Sequence, residues 1–413
     1  MRVLIVSPYL PHRSVGHGGG VSVRELARHL ARRHETHLLA LLRPGDADRV
    51  DEVAELGVQV HTIPFADRGA SGAHRLTLST ARARAWLRSR QSGYPYYVEK
   101  YHSAALSRAV VAAVERLRPD VVQIEYLQLS LLCRDLRAWR EQAGTAGPRL
   151  ILNSHELGAL PLRRRAETTR NALLRPLLVS RARAWERLQT TATRWADVTL
   201  CVTDQDRARL ESEGGRRCVT VPLGIDTTAI RPVWDPRDPP RLLFVGSFGH
   251  RPNRVAAKFL VDRVWPNIAQ CNGFAHLVLA GRGSDVFLSG LGRQPERVQA
   301  LGYVEDLTPL FRECRLFVAP LAEGGGIKIK ILEAMARGIP VLTTPIGAEG
   351  IVGSAEDALA IAGADATFAE AMIRVLAAPE AARGRAERAR RIIERRFSWS
   401  AITERLTTLY EGG

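Results

Sequence analysis

With 413 residues, 46% of them hydrophobic, the chain is too long for one ordinary core and divides into two domains of roughly 200 residues each. Its 59 basic against 43 acidic residues leave a net charge of +16, carried almost wholly by arginine; such a surplus attracts phosphate, nucleotide, nucleic acid or an anionic membrane face, though arginine-rich codon usage also produces it. Five scattered cysteines with no C-x-x-C pair exclude a zinc site or a disulfide framework, and no apolar run nears the roughly 18 residues of a membrane span, so the expected location is a reducing cytoplasm, with any membrane contact peripheral at the inner face.

From the first residue, short runs rich in Val, Ile and Leu alternate with longer helical patterns, the signature of βαβ units and a parallel sheet. Strands are expected at residues 2–7, 36–42, 58–64, 120–125, 149–154, 197–203 and 218–221. Between the first strand and the first helix lie Gly18, Gly19 and Gly20, read as a βα loop that either simply turns or offers backbone amides to an anion or a sugar hydroxyl. Asp46 to Asp48 and Asp204 to Asp206 resemble metal-binding aspartate pairs, but each precedes a helical segment and reads as an N-terminal cap; no metal is called for. His155 stands just past a strand end, where a histidine packs or caps about as often as it functions. Between Leu162 and Trp195 nine arginines face two glutamates, interleaved with Leu174, Leu178, Trp185 and Leu188: an amphipathic basic helix that suits anionic lipid or a phosphorylated acceptor, or else a solvated domain face. Nucleic-acid motifs and aromatic stacking platforms are missing, so nucleic acid is not the partner.

The proline-dense stretch 222–240 breaks helix and central strand alike and marks the boundary. The strand and helix alternation then restarts with "RLLFVGSF", "HLVLAG", "RVQALGYV", "RLFVAPL", "PVLTTPIG" and "ALAIAG". The domains are thus 1–222 plus 397–413, and 223–396, two facing Rossmann-like α/β domains with a cleft between them. In the tail, Ser398 caps a last helix whose Trp399, Ile402, Leu406 and Leu409 form one apolar stripe that needs a surface to cover.

The chemistry concentrates after "RLFVAPL", in "AEGGGIKIKILEAMARG", which holds two of the chain's four lysines. Ligands of open parallel sheets collect outside the carboxyl ends of strands, where helix N-termini present free amides. Gly324, Gly325 and Gly326 let backbone approach a ligand, and a helix starting near Ile327 directs its amides and Lys328 or Lys330 at a diphosphate. Glu333 follows roughly 9 Å further along the axis, with acceptors for both hydroxyls of an attached ribose, although a Lys330–Glu333 ion pair explains the same spacing.

These segments, with "RLLFVGSFGHRPN", "LAGRG", "LGYVEDL" and, before the boundary, "VPLGIDT", stand in the order found in the GT-B glycosyltransferases, and the second half resembles the donor site of the large retaining family called group 1 or family 4. The resemblance implies that Glu333 binds ribose, Lys330 and Lys328 the diphosphate, and backbone near Tyr303 and Val304 the base. Gly324 to Gly326 with Ile327 would meet the sugar or its phosphates, Gly246, Ser247 and Arg251 would belong to the donor site, and His155 would contact the donor sugar. The chain departs from the pattern at Gly325, where many members carry an acid whose role would pass to Glu323, and at Ser247, where many carry arginine and this chain has His250, Arg251 and Arg254 nearby. The implied reaction moves a sugar from a nucleoside diphosphate to a glycan, lipid-linked or small-molecule hydroxyl, with retention, without an enzymic nucleophile and without a cofactor. A sugar-nucleotide 2-epimerase or a catalytically silent sugar-nucleotide-binding partner would share the architecture.

Overall fold

The computed structural model describes residues 1–14, 18–65, 73–271, 273–292, 295–351 and 357–412. Two compact units result: Met1–Gly224 with Ile402–Gly413, and Ile225–Ala401.

The first unit is built on a seven-stranded parallel sheet: β1 (Arg2–Ser7), β2 (Glu35–Leu42), β3 (Gln59–Pro64), β4 (Val121–Glu125), β5 (Arg149–Asn153), β6 (Val198–Cys201) and β7 (Cys218–Thr220). Their order is β3-β2-β1-β4-β5-β6-β7. Near-continuous apolar runs such as Val3-Leu4-Ile5-Val6 are what strands covered on both faces require, and each of these four is sealed from solvent. The direction of winding reverses between β1 and β4, which pair in register from Val3 with Val121 to Val6 with Ile124, so a crevice opens at their carboxyl ends.

The second unit repeats the design with six parallel strands: β8 (Arg241–Val245), β9 (His276–Ala280), β10 (Val298–Ala300), β11 (Cys314–Ala319), β12 (Val341–Thr343) and β13 (Ala360–Ile361). Their order, β10-β9-β8-β11-β12-β13, puts the corresponding switch point between β8 and β11. The proline-dense segment is bound down on this unit: the Val233 amide donates to the Arg337 carbonyl at 3.0 Å, and the Trp234 indole to that of Cys314 at 2.9 Å.

The tail helix Trp399–Tyr410 is capped by Ser398, whose Oγ accepts the Ala401 amide at 3.3 Å. Ile402 and Leu406 are buried in the first unit, Leu409 is half-buried, and Tyr410 at the end donates its hydroxyl to Gln123 of β4 at 2.5 Å.

Four local expectations need correction. Gly18, Gly19 and Gly20 are not a loop but the first turn of the helix Gly18–Leu30. The helix expected near Ile327 begins two residues later, as Ile329–Ala336, because Lys328 keeps extended backbone and becomes the N-cap. Asp46 precedes a short 3-10 turn without a side-chain cap bond, and Thr203 rather than Asp204 or Asp206 caps the helix Asp204–Ser212; both aspartates lie in its first turn. The basic segment 162–195 is two helices, Ala159–Thr168 and Leu174–Ala192, rather than one, with Leu178 and Leu188 buried and Leu174 and Trp185 half-buried. Among the described residues no helix is long and apolar enough to cross a membrane.

Candidate functional site

In the second unit, the strand β8 ends at Val245 and the chain passes through Gly246 and Ser247 into the helix Arg251–Phe259, which brings Asn253 back over the strand tip. The Asn253 side-chain amide donates to the Ser247 carbonyl at 2.8 Å, which turns its Oδ1 towards the neighbouring helix Ile329–Ala336. There the Lys330 ammonium donates to Asn253 Oδ1 at 2.6 Å and lies 4.7 Å from the centre of the Phe244 ring. Gly246 is required by this contact: a Cβ there would stand 2.8 Å from the Asn253 amide nitrogen and 3.0 Å from Lys330 Nζ. One cation is thereby held against bare backbone at the switch point.

Burial, and then the nearby Lys328, push the Lys330 pKa down to about 7. His250 is also lowered, by burial first and by Lys330 second. Glu333, half-buried further along the helix, is raised by burial, with Arg337 opposing the shift. Among the described residues the Glu333 carboxylate takes no hydrogen bond and no ion pair, so the Lys330–Glu333 pair suggested by the spacing does not form. Two lone-pair-rich oxygens are left for ligand hydroxyls.

The glycine loop between β11 and this helix has left-handed backbone at Gly324 (φ 121°) and Gly326 (φ 64°). Lys328 folds back on it, its ammonium donating to the carbonyls of Gly325 (3.3 Å) and Gly326. Ile327 is buried and anchors the loop. Arg251 and Glu323, expected to serve separately, form an ion pair, and the second carboxylate oxygen of Glu323 is buried without a partner among the described residues. Tyr303 is exposed after β10, with the Arg282 guanidinium 5.7 Å above its ring, and Val304 beside it is half-buried. These groups stand at or after the ends of four adjacent strands, β10, β9, β8 and β11.

In the first unit, His155 follows β5 with a left-handed φ of 55°, and Tyr126 follows β4 with φ 72°. Such conformations in bulky residues cost on the order of 1–3 kcal/mol each and persist where the surroundings enforce them. The His155 and Tyr126 rings stack at 3.7 Å between centroids, 6° apart in plane. Tyr126 in turn touches the glycine turn, where a Cβ on Gly19 would stand 1.7 Å from its hydroxyl oxygen, and that hydroxyl is 2.5 Å from the Tyr9 hydroxyl. Beneath them Glu125, fully sealed from solvent, pairs with His155 Nε2 at 2.5 Å.

Asn253, Glu125, Tyr126 and Gln123 were missed by the sequence reading. A signal existed for the pair on β4: "VVQIE" places Gln and Glu in a strand otherwise fit for full burial, and a buried acid needs a partner. Asn253 carries no comparable mark.

Family models match both halves: one described as Glycosyltransferase Family 4 over residues 16–229, the other as Glycosyl transferases group 1 over residues 239–378. No curated protein matches the sequence significantly. Among solved structures, sucrose-phosphate synthase from Thermosynechococcus elongatus aligns at 19% identity and a TM-score of 0.70, covering 100% of this chain and 98% of its own. Anabaena HepE in complex with UDP aligns at 15% identity and 0.66, and the lipopolysaccharide glycosyltransferase WaaG at 16% and 0.59, each covering 100% of both chains. These likenesses show the fold, which is GT-B. Since one family model alone spans more than half of the sequence, the chain belongs to the family 4, or group 1, glycosyltransferases.

Proposed function

We propose that this glycosyltransferase takes its sugar from a nucleoside-diphosphate donor held on the second unit and passes it, with retention, to a hydroxyl of a glycan, a lipid-linked saccharide or a small molecule. The observation that carries the reading is the Lys330 ammonium, held by Asn253 against Gly246, with the unpaired Glu333 carboxylate on the same helix. The diphosphate would lie on Lys330, the start of the helix and the glycine loop, the ribose hydroxyls on Glu333, and the base near Tyr303 and Val304. That HepE has been solved with UDP and with UDP-glucose supports a donor of this class.

In this reading the protein's contribution is electrostatic. As the bond to the anomeric carbon breaks, charge grows on the departing diphosphate, and a low-dielectric ammonium stabilises it without reorganising. The leaving phosphate accepts the acceptor's proton, so attack comes from the face it vacates, no enzymic nucleophile is needed, and no metal is invoked. We place the reaction in the cytoplasm, where the five cysteines, all free, stay reduced.

The test is nucleotide release from UDP-, GDP-, TDP- and ADP-sugars with and without candidate acceptors, with product anomers assigned by NMR. Acceptor-dependent release with retained configuration supports the proposal; an epimerised donor formed without acceptor, or binding without turnover, overturns it.

A further inference from the structure

A buried carboxylate is tolerable only when its lone pairs are met. Glu125, at the carboxyl end of β4, meets this condition with three donors. Its Oε2 accepts from the Asn153 side-chain amide at 3.0 Å and faces His155 Nε2 at 2.5 Å, while Oε1 accepts from the Gln123 amide at 2.6 Å. An amide side chain satisfies this role only if its NH2 points at the acid. Gln123 is held that way round by Tyr410, whose hydroxyl donates to Gln123 Oε1 at 2.5 Å from the tail helix, 287 residues away in sequence.

The chain therefore runs in one direction, Tyr410 to Gln123 to Glu125, and its last acceptor faces the imidazole. With three neighbours each donating, Glu125 takes the proton-accepting part against His155, whose Nε2 carries the hydrogen. The ring's other nitrogen, Nδ1, has no partner among the described residues and is not sealed in the interior. One ring face is closed by Tyr126, stacked at 3.7 Å. His155 lies at the carboxyl end of β5, one strand from the switch point between β1 and β4, with a left-handed backbone φ of 55°.

We infer that Tyr410, Gln123 and Glu125 are positioning residues that lock His155 in the Nε2–H tautomer, so that its Nδ1 lone pair accepts a hydrogen bond from a hydroxyl of the sugar substrate. The inference rests on the proposed transferase reading for the identity of that hydroxyl, and on geometry alone for the tautomer. A purely structural network would fix the same tautomer, so the fall in kcat of variants that keep the wild-type fold is what separates a positioning role from a structural one.

Two arms decide it. In the full-length protein labelled with 15N-histidine, the ring signal removed by His155→Ala is expected to show a protonated Nε2 and an unprotonated Nδ1, and in Glu125→Gln this preference is expected to be lost or reversed, because the new amide can donate. In kinetics, Glu125→Gln is expected to lower kcat by about 10- to 100-fold with the donor KM within about twofold, the range seen when outer partners of a functional imidazole are removed. Adding Glu125→Gln to His155→Ala is expected to cost nothing more, as for two residues acting through one group. Should Glu125→Gln not fold, Tyr410→Phe, which removes only the far hydroxyl, carries the same test with a smaller fall in kcat and a partial loss of tautomer preference. An Nδ1–H ring in the wild type, an unchanged ring signal in folded variants, or additive losses in the double variant would overturn the inference. A wild-type protein that turns over no sugar nucleotide would remove the transferase reading alone, since the NMR arm needs no substrate.

Discussion

At the scale of single residues, two charged groups on one helix carry separable expectations. Glu333→Ala removes the proposed acceptor of ribose hydroxyls, contacts worth about 1–3 kcal/mol, so donor dissociation constants measured by calorimetry should rise about 5- to 100-fold. Lys330→Ala should lower kcat by about 100- to 1,000-fold and affect binding less, because the ammonium acts most on charge that develops as the diphosphate leaves. Lys330 also sets a pH dependence. With its pKa lowered to about 7 in the free protein, the amine is charged below pH 7 and must take up a proton to bind a diphosphate above it. Affinity for a UDP-sugar, whose diphosphate diester does not titrate there, should therefore be level below pH 7 and fall by up to about tenfold per unit above it, until the raised pKa of the complex is reached. The slope should vanish in Lys330→Met; a slope that persists there would assign it to another group.

At the scale of elements, the functional backbone lies where strands hand over to helices. Gly246→Ala would drive a methyl against Asn253 and Lys330 while leaving β8 itself paired, so donor affinity should fall about tenfold with a thermal midpoint within a few degrees of wild type. Gly19→Ala should act on the other sheet: its Cβ cannot coexist with the Tyr126 hydroxyl where it stands, and the displaced ring would leave His155 unstacked. Much at this scale was legible beforehand. Short, mostly apolar runs announced the strands, since parallel strands covered on both faces tolerate little else, and Ser398 with the Trp399, Ile402 and Leu406 stripe announced the tail helix. Helix starts were less legible, because the choice of cap between Thr203 and Asp204, or between Lys328 and its neighbours, depends on backbone angles set by the preceding strand.

At the scale of the whole molecule, the last residues complete the first unit. Ile402, Leu406 and Tyr410 are buried there, each worth about 1.5–3 kcal/mol, a large share of the margin of about 5–15 kcal/mol on which a domain stands. Deleting residues 402–413 should lower the thermal midpoint of the first unit sharply and open it to limited proteolysis. Nucleotide binding by the second unit, which draws its candidate contacts entirely from Ile225–Ala401, should survive the truncation.

The amino-acid sequence by itself determined the two parallel sheets, the strand positions and the glycine, lysine and glutamate run that opens the helix after β11, because these follow from local periodicity and backbone chemistry. Only the tertiary structure decided which side chains meet: Lys330 with Asn253, Arg251 with Glu323, His155 with Glu125, and Gln123 with Tyr410. The reason is physical. Neighbouring strand ends belong to distant stretches of chain, so the partner of a charge at the switch point is set by strand order and register, which single-sequence patterns do not encode.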